Sequence, residues 1–219
     1  MMSGQYDVVS FAVLLGLLAL VPLLVVSTTC FLKISLVLLV LRNAIGVQQV
    51  PPTLAIYGIA LAASVFVMAP TIQETGSRIL KKDVQLEQAR SPELLAHAAN
   101  SFEPLRAFML RFSRPEQREE FLASAKKLWP KEAARDARSS DVVILIPAFV
   151  VSELQSGFEI GFLIYIPFVV IDLLLANLLM ALGMQQVSPQ TITVPLKLLL
   201  FVLVGGWGKL LNALAMSYI

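Results

Sequence analysis

The fold class of this chain is decided by residues 147–207, PAFVVSELQSGFEIGFLIYIPFVVIDLLLANLLMALGMQQVSPQTITVPLKLLLFVLVGGW. This stretch is almost wholly apolar, yet it carries Glu153, Glu159, Asp172 and Lys197. A charged side chain at the bilayer centre costs at least about 2.5–3.5 kcal/mol on insertion scales, so each of these groups needs a partner or water. The stretch therefore predicts a membrane protein with a polar interior or pathway.

The composition of the whole chain agrees with a membrane protein. Of its 219 residues, 57% are hydrophobic and 15% are charged, against about 45–50% and about 25% in soluble domains. The net charge of +2 gives no reason to expect nucleic-acid binding. Cys30 is the single cysteine and His97 the single histidine, which rules out an intramolecular disulfide and a histidine- or cysteine-rich metal site within one chain. We expect no enzyme activity, no metal and no cofactor.

Charge is concentrated in the middle of the chain. Residues 73–141 hold 13 of the 17 basic and 11 of the 15 acidic residues. The sequence therefore predicts three parts: N-terminal hydrophobic helices over 1–72, a soluble and mainly helical insert over 73–141, and a C-terminal hydrophobic unit over 142–219.

The first apolar run, residues 8–32, contains no charge and is long enough to cross a bilayer. A secretory signal peptide is the alternative, but the preceding residues contain Asp7 and no Lys or Arg. We favour an uncleaved helix that Pro22 kinks. A second apolar run, residues 54–72, is rich in small residues that allow close helix packing.

The apolar run over 142–183 is about twice the length of one span, which predicts a hairpin or a strongly bent helix. Gly157 and Gly161 are the expected hinge, or alternatively a small-residue packing motif. The last hydrophobic segment covers 195–215. The predicted fold is thus an all-α membrane protein with about four hydrophobic helical segments, the third a hairpin or bent helix, and an insert between the second and third.

The charges within the apolar segments have competing explanations. Glu159 and Glu153 could face water in a hairpin turn, and Lys33 and Arg42 could extend to the membrane surface along their alkyl stems. Our hypothesis is that Glu153 pairs with Lys197 when the 142–184 unit packs against the last helix. Because many ionisable and small residues lie on apolar helices, we also expect the chain to be stable only as an oligomer.

An uncharged polar turn separates the last two apolar segments. It consists of Met184, Gln185, Gln186, Val187, Ser188 and Pro189. A methionine on an apolar helix is usually only a packing residue, but a methionine beside a Gln-Gln turn could instead shape a constriction. Pro189 and the residue before it should make the turn fairly stiff.

The residues quoted from 147 to 207 resemble the FliP/SctR (YscR-like) inner-membrane proteins of type III secretion and flagellar export. LRNAIGVQQVPP, residues 41–52, and FVMAPT, residues 66–71, resemble the N-terminal signature of the same family. These matches bracket the central insert, so the resemblance spans nearly the whole chain. The short N-terminus is more similar to the injectisome branch than to the flagellar branch.

The resemblance implies a subunit of the export gate, a closed helical channel raised largely out of the bilayer. It implies several copies of this chain together with SctS-like and SctT-like subunits, and contacts with SctU-like and SctV-like components, unfolded secreted proteins and membrane lipid. It also implies that the insert is periplasmic and that the polar turn forms the pore gate, a gasket of three methionines.

Two positions depart from the family pattern. Only Met184 of the three gasket methionines is kept, because Gln185 and Gln186 replace the others. Gly205 stands where the family has an Asp before Gly-Trp. The basic residues that flank the insert would by themselves argue for the cytoplasm, although that rule weakens for long segments. We follow the resemblance and expect a periplasmic insert.

The function expected is that of a non-enzymatic export-gate subunit in the bacterial inner membrane that passes unfolded secreted proteins. A proton- or cation-coupled transporter or channel that uses Glu159 and Asp172 is the alternative from another class. A third possibility is a structural scaffold whose polar groups only fix helix packing.

Overall fold

The computed structural model describes residues 8–47, 50–80, 100–184 and 186–219. These residues form nine α-helices and no strand. The helices are α1 (Val8–Thr28), α2 (Phe31–Ile45), α3 (Thr53–Leu80), α4 (Glu103–Phe112), α5 (Pro115–Leu128), α6 (Lys131–Asp136), α7 (Val142–Ala181), α8 (Gln190–Leu203) and α9 (Gly206–Met216). His97 lies outside the described residues.

The first apolar run divides into two helices. α1 ends at Thr28 and α2 begins at Phe31, with a bend of 74° between them. The Thr28 and Thr29 hydroxyls donate to the carbonyl oxygens of Leu24 and Val25, at 2.7 and 2.6 Å. Such local side-chain hydrogen bonds compete with regular helix bonds and favour a break at this point.

Helix α2 is the centre of the molecule. Its residues Ile34, Val37, Leu38 and Leu41 are at most 1% exposed, because α3 packs on one side and α7 on another. Gly46 ends α2 in the left-handed conformation at φ +86°, which glycine adopts at no steric cost.

Arg42 secures the turn that follows α2. Its guanidinium donates to Thr53 Oγ1 at 3.0 Å and to the Pro51 carbonyl oxygen at 3.4 Å. These bonds hold the last turn of α2 against the first turn of α3, so Arg42 has a structural role besides any position at a membrane surface.

Helix α3 is longer than the sequence predicted. It continues without a break through Pro70 to Leu80, so residue 72 lies inside a helix rather than at a boundary. The small residues Ala60 and Ser64 are buried, and the Cys30 thiol lies 3.8 Å from the Ser64 carbonyl oxygen. These small side chains allow α3 to pack closely against its neighbours.

Of the two forms predicted for residues 142–183, a hairpin and a bent helix, the hairpin is wrong. The structure has one continuous helix of 40 residues, α7, which is about 60 Å long at 1.5 Å per residue. Gly157 and Gly161 are therefore not a hairpin turn. They are buried where α7 crosses α2, and a Cβ at these positions would lie 2.9 Å from Leu36 Cδ2 and 3.1 Å from Val40 Cγ1 respectively. The pair is a packing contact between helices.

The described part of the insert packs against the C-terminal unit. Helices α4 and α5 both contact α7, and Phe108 stacks on Tyr218 and meets Phe149 edge-on, with ring centroids 5.9 and 6.0 Å apart. Arg106 donates to Glu103 and to the Ser140 carbonyl oxygen. The hydrogen bond from Arg106 lowers the pKa of the Glu103 carboxyl below its usual range.

The fold is that of an all-α membrane protein. α3 and α7 are each long and apolar enough to cross a bilayer, and the bent pairs α1–α2 and α8–α9 raise the number of candidate spans to four among the described residues. The predicted number of hydrophobic segments, about four, agrees with this range.

Candidate functional site: buried ion pairs and the polar turn

A buried polar cluster joins α2, α7 and the end of the chain. Lys33 Nζ lies 3.7 Å from Glu153 Oε1 and 3.5 Å from the centroid of the Tyr218 ring. The Tyr218 hydroxyl donates to Glu153 Oε2. The three residues are 4, 2 and 7% exposed, so the ammonium, the carboxylate and the hydroxyl satisfy one another away from water.

Lys33 therefore does not extend to a membrane surface. Lys33 lies in the first turn of α2, where α7 packs closely against α2. A Cβ at Gly157 of α7 would lie only 3.5 Å from Lys33 Cα. The close approach of the two helices leaves no path for its side chain other than toward Glu153 and Tyr218. No feature of the sequence distinguishes Tyr218, because its role depends on where the last residues pack.

The predicted Glu153–Lys197 pair is wrong. Lys197 Nζ instead lies 2.5 Å from Asp172 Oδ2 and 3.1 Å from the Ala44 carbonyl oxygen. The reason is the length of α7: Asp172 lies 19 residues, or about 28 Å, along the helix from Glu153. Because α7 does not fold back, α8 returns beside the end of α7 and brings Lys197 to Asp172.

The two ion pairs differ in exposure. Lys197 is 3% exposed, whereas the Asp172 side chain is 44% exposed in the single chain. The Asp172 carboxylate thus keeps one side open at the surface of the subunit, while the ammonium is enclosed.

Glu159 is not a buried ion. Its side chain is 54% exposed and pairs with Arg114, whose guanidinium nitrogen lies 2.6 Å from Glu159 Oε2. Ser152 Oγ accepts from the Arg114 backbone N–H at 2.9 Å and donates to the Ala148 carbonyl oxygen at 2.7 Å. Arg114, just before α5, is therefore held to α7 through both its backbone and its side chain.

The polar turn follows the end of α7. Gly183 is at φ +73°, its N–H donates to the Met180 carbonyl oxygen, and the Met184 N–H donates to the Leu179 carbonyl oxygen at 2.9 Å. Left-handed glycines with such bonds are common helix ends. The Thr191 N–H donates to the Ser188 carbonyl oxygen at 3.1 Å, which makes a turn directly before α8.

The side chains of the polar turn are largely open. Met184, Gln186 and Ser188 are exposed, and Val187 and Pro189 are half-buried. Gln185 lies outside the described residues. The turn lies where the sequence predicted a break between helices, and its role as a pore gate stays a prediction.

A second break separates α8 from α9. Gly205 is at φ +67°, and the two helices meet at an angle of 64°. The Phe201 ring packs edge-on against Trp207, with centroids 5.4 Å apart, and it fills the space where a side chain at Gly206 would lie. Asp is among the non-glycine residues that tolerate this backbone region, so the Asp that the family resemblance places at Gly205 fits the same bend.

The structure does not assemble Glu159 and Asp172 into one ion path. They lie 13 residues, or about 20 Å, apart on α7, and each is paired with a different residue. No group of three or more His, Cys, Asp or Glu side chains that could hold a metal occurs within the described ranges.

Comparison with known proteins identifies the family. The FliP family model matches residues 14–214, nearly the whole chain. The chain belongs to the FliP family. The FliP-family relationship predicted from residues 41–71 and 147–207 is thereby confirmed.

Relatives of the chain match over almost their full length. It is 54% identical to the harpin secretion protein HrpW of Pseudomonas syringae pv. syringae over 207 residues, 94% of this chain and 99% of the relative. It is 48% identical to the harpin secretion protein HrcR of Erwinia amylovora over 219 residues, 100% of both chains. Identity to the Yop proteins translocation protein R of Yersinia pestis is 45% over 212 residues, 97% of both chains. This FliP-family chain is accordingly a membrane subunit of a secretion apparatus.

Proposed function

We propose that the chain is a core subunit of a type III secretion export gate in the bacterial inner membrane. Several copies, together with SctS-like and SctT-like subunits, form a closed channel for unfolded secreted proteins. SctU-like and SctV-like components contact this gate. The polar turn lines the closed pore, and the central insert is periplasmic.

The observation that carries the proposal is the length of the apolar surface on α7. Large apolar side chains are exposed near its start at Val143 (69%), in its middle at Phe162 (67%) and near its end at Leu174 (65%) and Met180 (59%). α7 is about 60 Å long, whereas the hydrocarbon core of a bilayer is about 30 Å thick. A perpendicular bilayer covers about half of this surface, so neighbouring subunits cover the remainder.

A multi-subunit gate also accounts for the half-exposed Asp172. In the single chain this carboxylate lies on an apolar surface with one side open, which is unfavourable in lipid. A neighbouring subunit or a wet pore on that side would satisfy it.

Co-expression with the SctS-like and SctT-like partners tests the assembly. A tag on this chain should recover, in mild detergent, a complex that contains several copies of the chain and both partners, as measured by native mass spectrometry. A stable and fully helical monomer that binds neither partner would contradict the proposal. Ion transport by the chain alone in proteoliposomes would favour the transporter alternative.

Labelling of a single introduced cysteine tests the side of the insert. Lys127→Cys lies on an exposed position of α5, and native Cys30 is fully buried and gives little background. A membrane-impermeant maleimide should label Lys127→Cys in cells whose outer membrane alone is permeabilised. Labelling only after the inner membrane is opened would place the insert in the cytoplasm.

A further inference from the structure

Helices α8 and α9 differ sharply in how firmly they are held. α9 is anchored in the main core, where Leu214 is 2% exposed and Trp207, Leu210 and Leu211 pack against the α2–α3 cluster. Along α8 the buried residues are Thr193 and Lys197, while side chains such as Leu199, Val202 and Leu203 are 55–71% exposed. α9 thus packs into the main core, whereas α8 packs on α2 and α7 along one side and is exposed along the other.

Helix α8 contacts α2, α7 and α9. Lys197 binds Asp172 Oδ2 and the Ala44 carbonyl oxygen. Val194 lies against Gly46, 3.2 Å from the position of a Cβ there. Phe201 packs on Trp207 at the junction itself. Of these side chains, Val194 lies furthest from the junction, and Lys197 is the one that makes an ion pair and a hydrogen bond.

The junction can exist in two backbone states. Gly205 is left-handed at φ +67°, and no heavy atom lies within 4 Å of the position of a Cβ. Glycine occupies the left-handed and right-handed helical regions about equally readily. In the right-handed state α8 and α9 would join into one straight helix, whereas the left-handed state produces the 64° bend.

We propose that Gly205 is a joint about which α8 turns, and that Lys197 is the latch that holds α8 against Asp172 and Ala44. The two residues together position the polar turn, which lies at the opposite end of α8. The joint and the latch do not depend on the proposed function. Only their expected effect on ion conductance rests on it.

The geometry gives the joint a large lever. α8 has 14 residues and is about 21 Å long. A change of about 10° at Gly205 therefore displaces the start of α8, and with it Ser188 and Pro189, by about 4 Å. A displacement of this size is comparable to the width of a side chain and is sufficient to change a constriction.

Distance measurements in the assembled complex test the joint. Spin labels at Gln190→Cys and Met216→Cys, both exposed positions, report the separation of the two helix ends by pulsed EPR. For the 64° bend we expect about 33 Å between the two backbone positions, and about 39 Å for a straight helix. Gly205→Ala favours the right-handed state, so it should shift the distribution toward longer distances by about 6 Å.

Two matched variants control for the loss of a glycine. Gly205→Asn tolerates the left-handed conformation and should keep the original distance. Gly208→Ala adds the same methyl group within α9, again with no heavy atom within 4 Å, and should also keep it. If Gly205→Ala gives the same distribution as Gly208→Ala, the joint does not exist.

A separate variant tests the latch. Lys197→Met keeps an unbranched side chain but removes the ammonium, and it should broaden the distance distribution in the complex. A distribution as narrow as that of the unchanged chain would overturn the latch. Ion conductance separates the joint from the proposed function. If the variants change the spin-label distances but not the ion conductance, the joint stands and the assignment of the polar turn as the gate fails.

Discussion

Lys197 links the end of α2 to the end of α7: its ammonium lies 2.5 Å from Asp172 Oδ2 and 3.1 Å from the Ala44 carbonyl oxygen. The ammonium is enclosed and the carboxylate is half open. The cost of removing each partner should therefore be unequal, because the group left behind is buried in one case and partly exposed in the other.

We expect Asp172→Asn to destabilise the subunit more than Lys197→Met in the assembled gate. Breaking a buried ion pair costs about 3–5 kcal/mol when a charge is left stranded, and the figure is smaller for the Lys197 variant because a neighbouring subunit or a wet pore meets the open side of Asp172 there. Thermal unfolding in mild detergent measures both. The double variant Asp172→Leu with Lys197→Met leaves no stranded charge and should recover part of the loss. The reverse order of the single variants would contradict this asymmetry.

Tyr218→Phe should destabilise the subunit by about 1–3 kcal/mol, because Glu153 Oε2 loses its donor in a buried site. The ring remains, so the contact with Lys33 is retained. Tyr165→Phe, at a 40% exposed position on α7, is the matched control and should have little effect. Chemical denaturation in detergent compares the two. Equal midpoints would show that the Tyr218 hydroxyl does not stabilise the cluster.

Gly161→Ala should destabilise the α2–α7 contact, because the new methyl group would lie 3.1–3.2 Å from three side-chain atoms of Val40. Overpacking typically costs about 1–3 kcal/mol. Val40→Ala in the same chain should relieve the crowding. Gly58→Ala, a helical glycine of α3 with open space around it, should instead stabilise by about 0.5–1 kcal/mol. Thermal midpoints that move alike for both glycines would exclude a close helix contact.

Ser152→Ala should loosen the insert more than Glu159→Gln, although only the latter removes an ion pair. The Ser152 hydroxyl is fully buried and accepts the Arg114 N–H, and loss of a buried acceptor costs about 1–3 kcal/mol. The Arg114–Glu159 pair is exposed, so solvent screens it and it contributes little. Limited proteolysis of the insert ranks the two variants. Faster cleavage in Glu159→Gln than in Ser152→Ala would contradict this ranking.

Glutamines in the polar turn should make a leakier seal than methionines. Replacing Gln185 and Gln186 with Met should lower basal ion conductance and largely spare secretion, because methionine packs as an adaptable apolar group. Replacing both with Gly should raise the leak. The measurement is conductance of the assembled gate. If deletion of residues 184–186 changes neither conductance nor secretion, the turn is an ordinary connection.

The family, the all-α class and the charged residues within the apolar segments were predictable from the sequence. The partner of each charged residue was not. Charges within apolar segments identified Glu153 and Lys197 as buried groups, since such charges are expensive in a membrane. Their partners depended on whether residues 142–183 fold back. Length alone favours a hairpin or a strongly bent helix, because a single span is expected to match the thickness of a bilayer.

Other errors share this origin. For Gly157 and Gly161 the sequence leaves a hinge and a packing motif open, and in the structure the two glycines allow α2 to approach α7 closely. Lys33 was compatible with a surface position, because a single sequence does not indicate that α7 closes that face of α2. The contribution of Tyr218 was not predictable, because its contacts depend on how α4, α7 and the last residues pack together.

The hydrogen bond between Tyr218 and Glu153 also sets an order of events during synthesis. The two residues are 65 positions apart, so at about 5–20 residues per second the ribosome needs roughly 3–13 s to reach the hydroxyl after it has made the carboxylate. Throughout that interval Glu153 has Lys33 as its available partner from the cluster. The cluster is therefore completed only after α8 and α9 have been made.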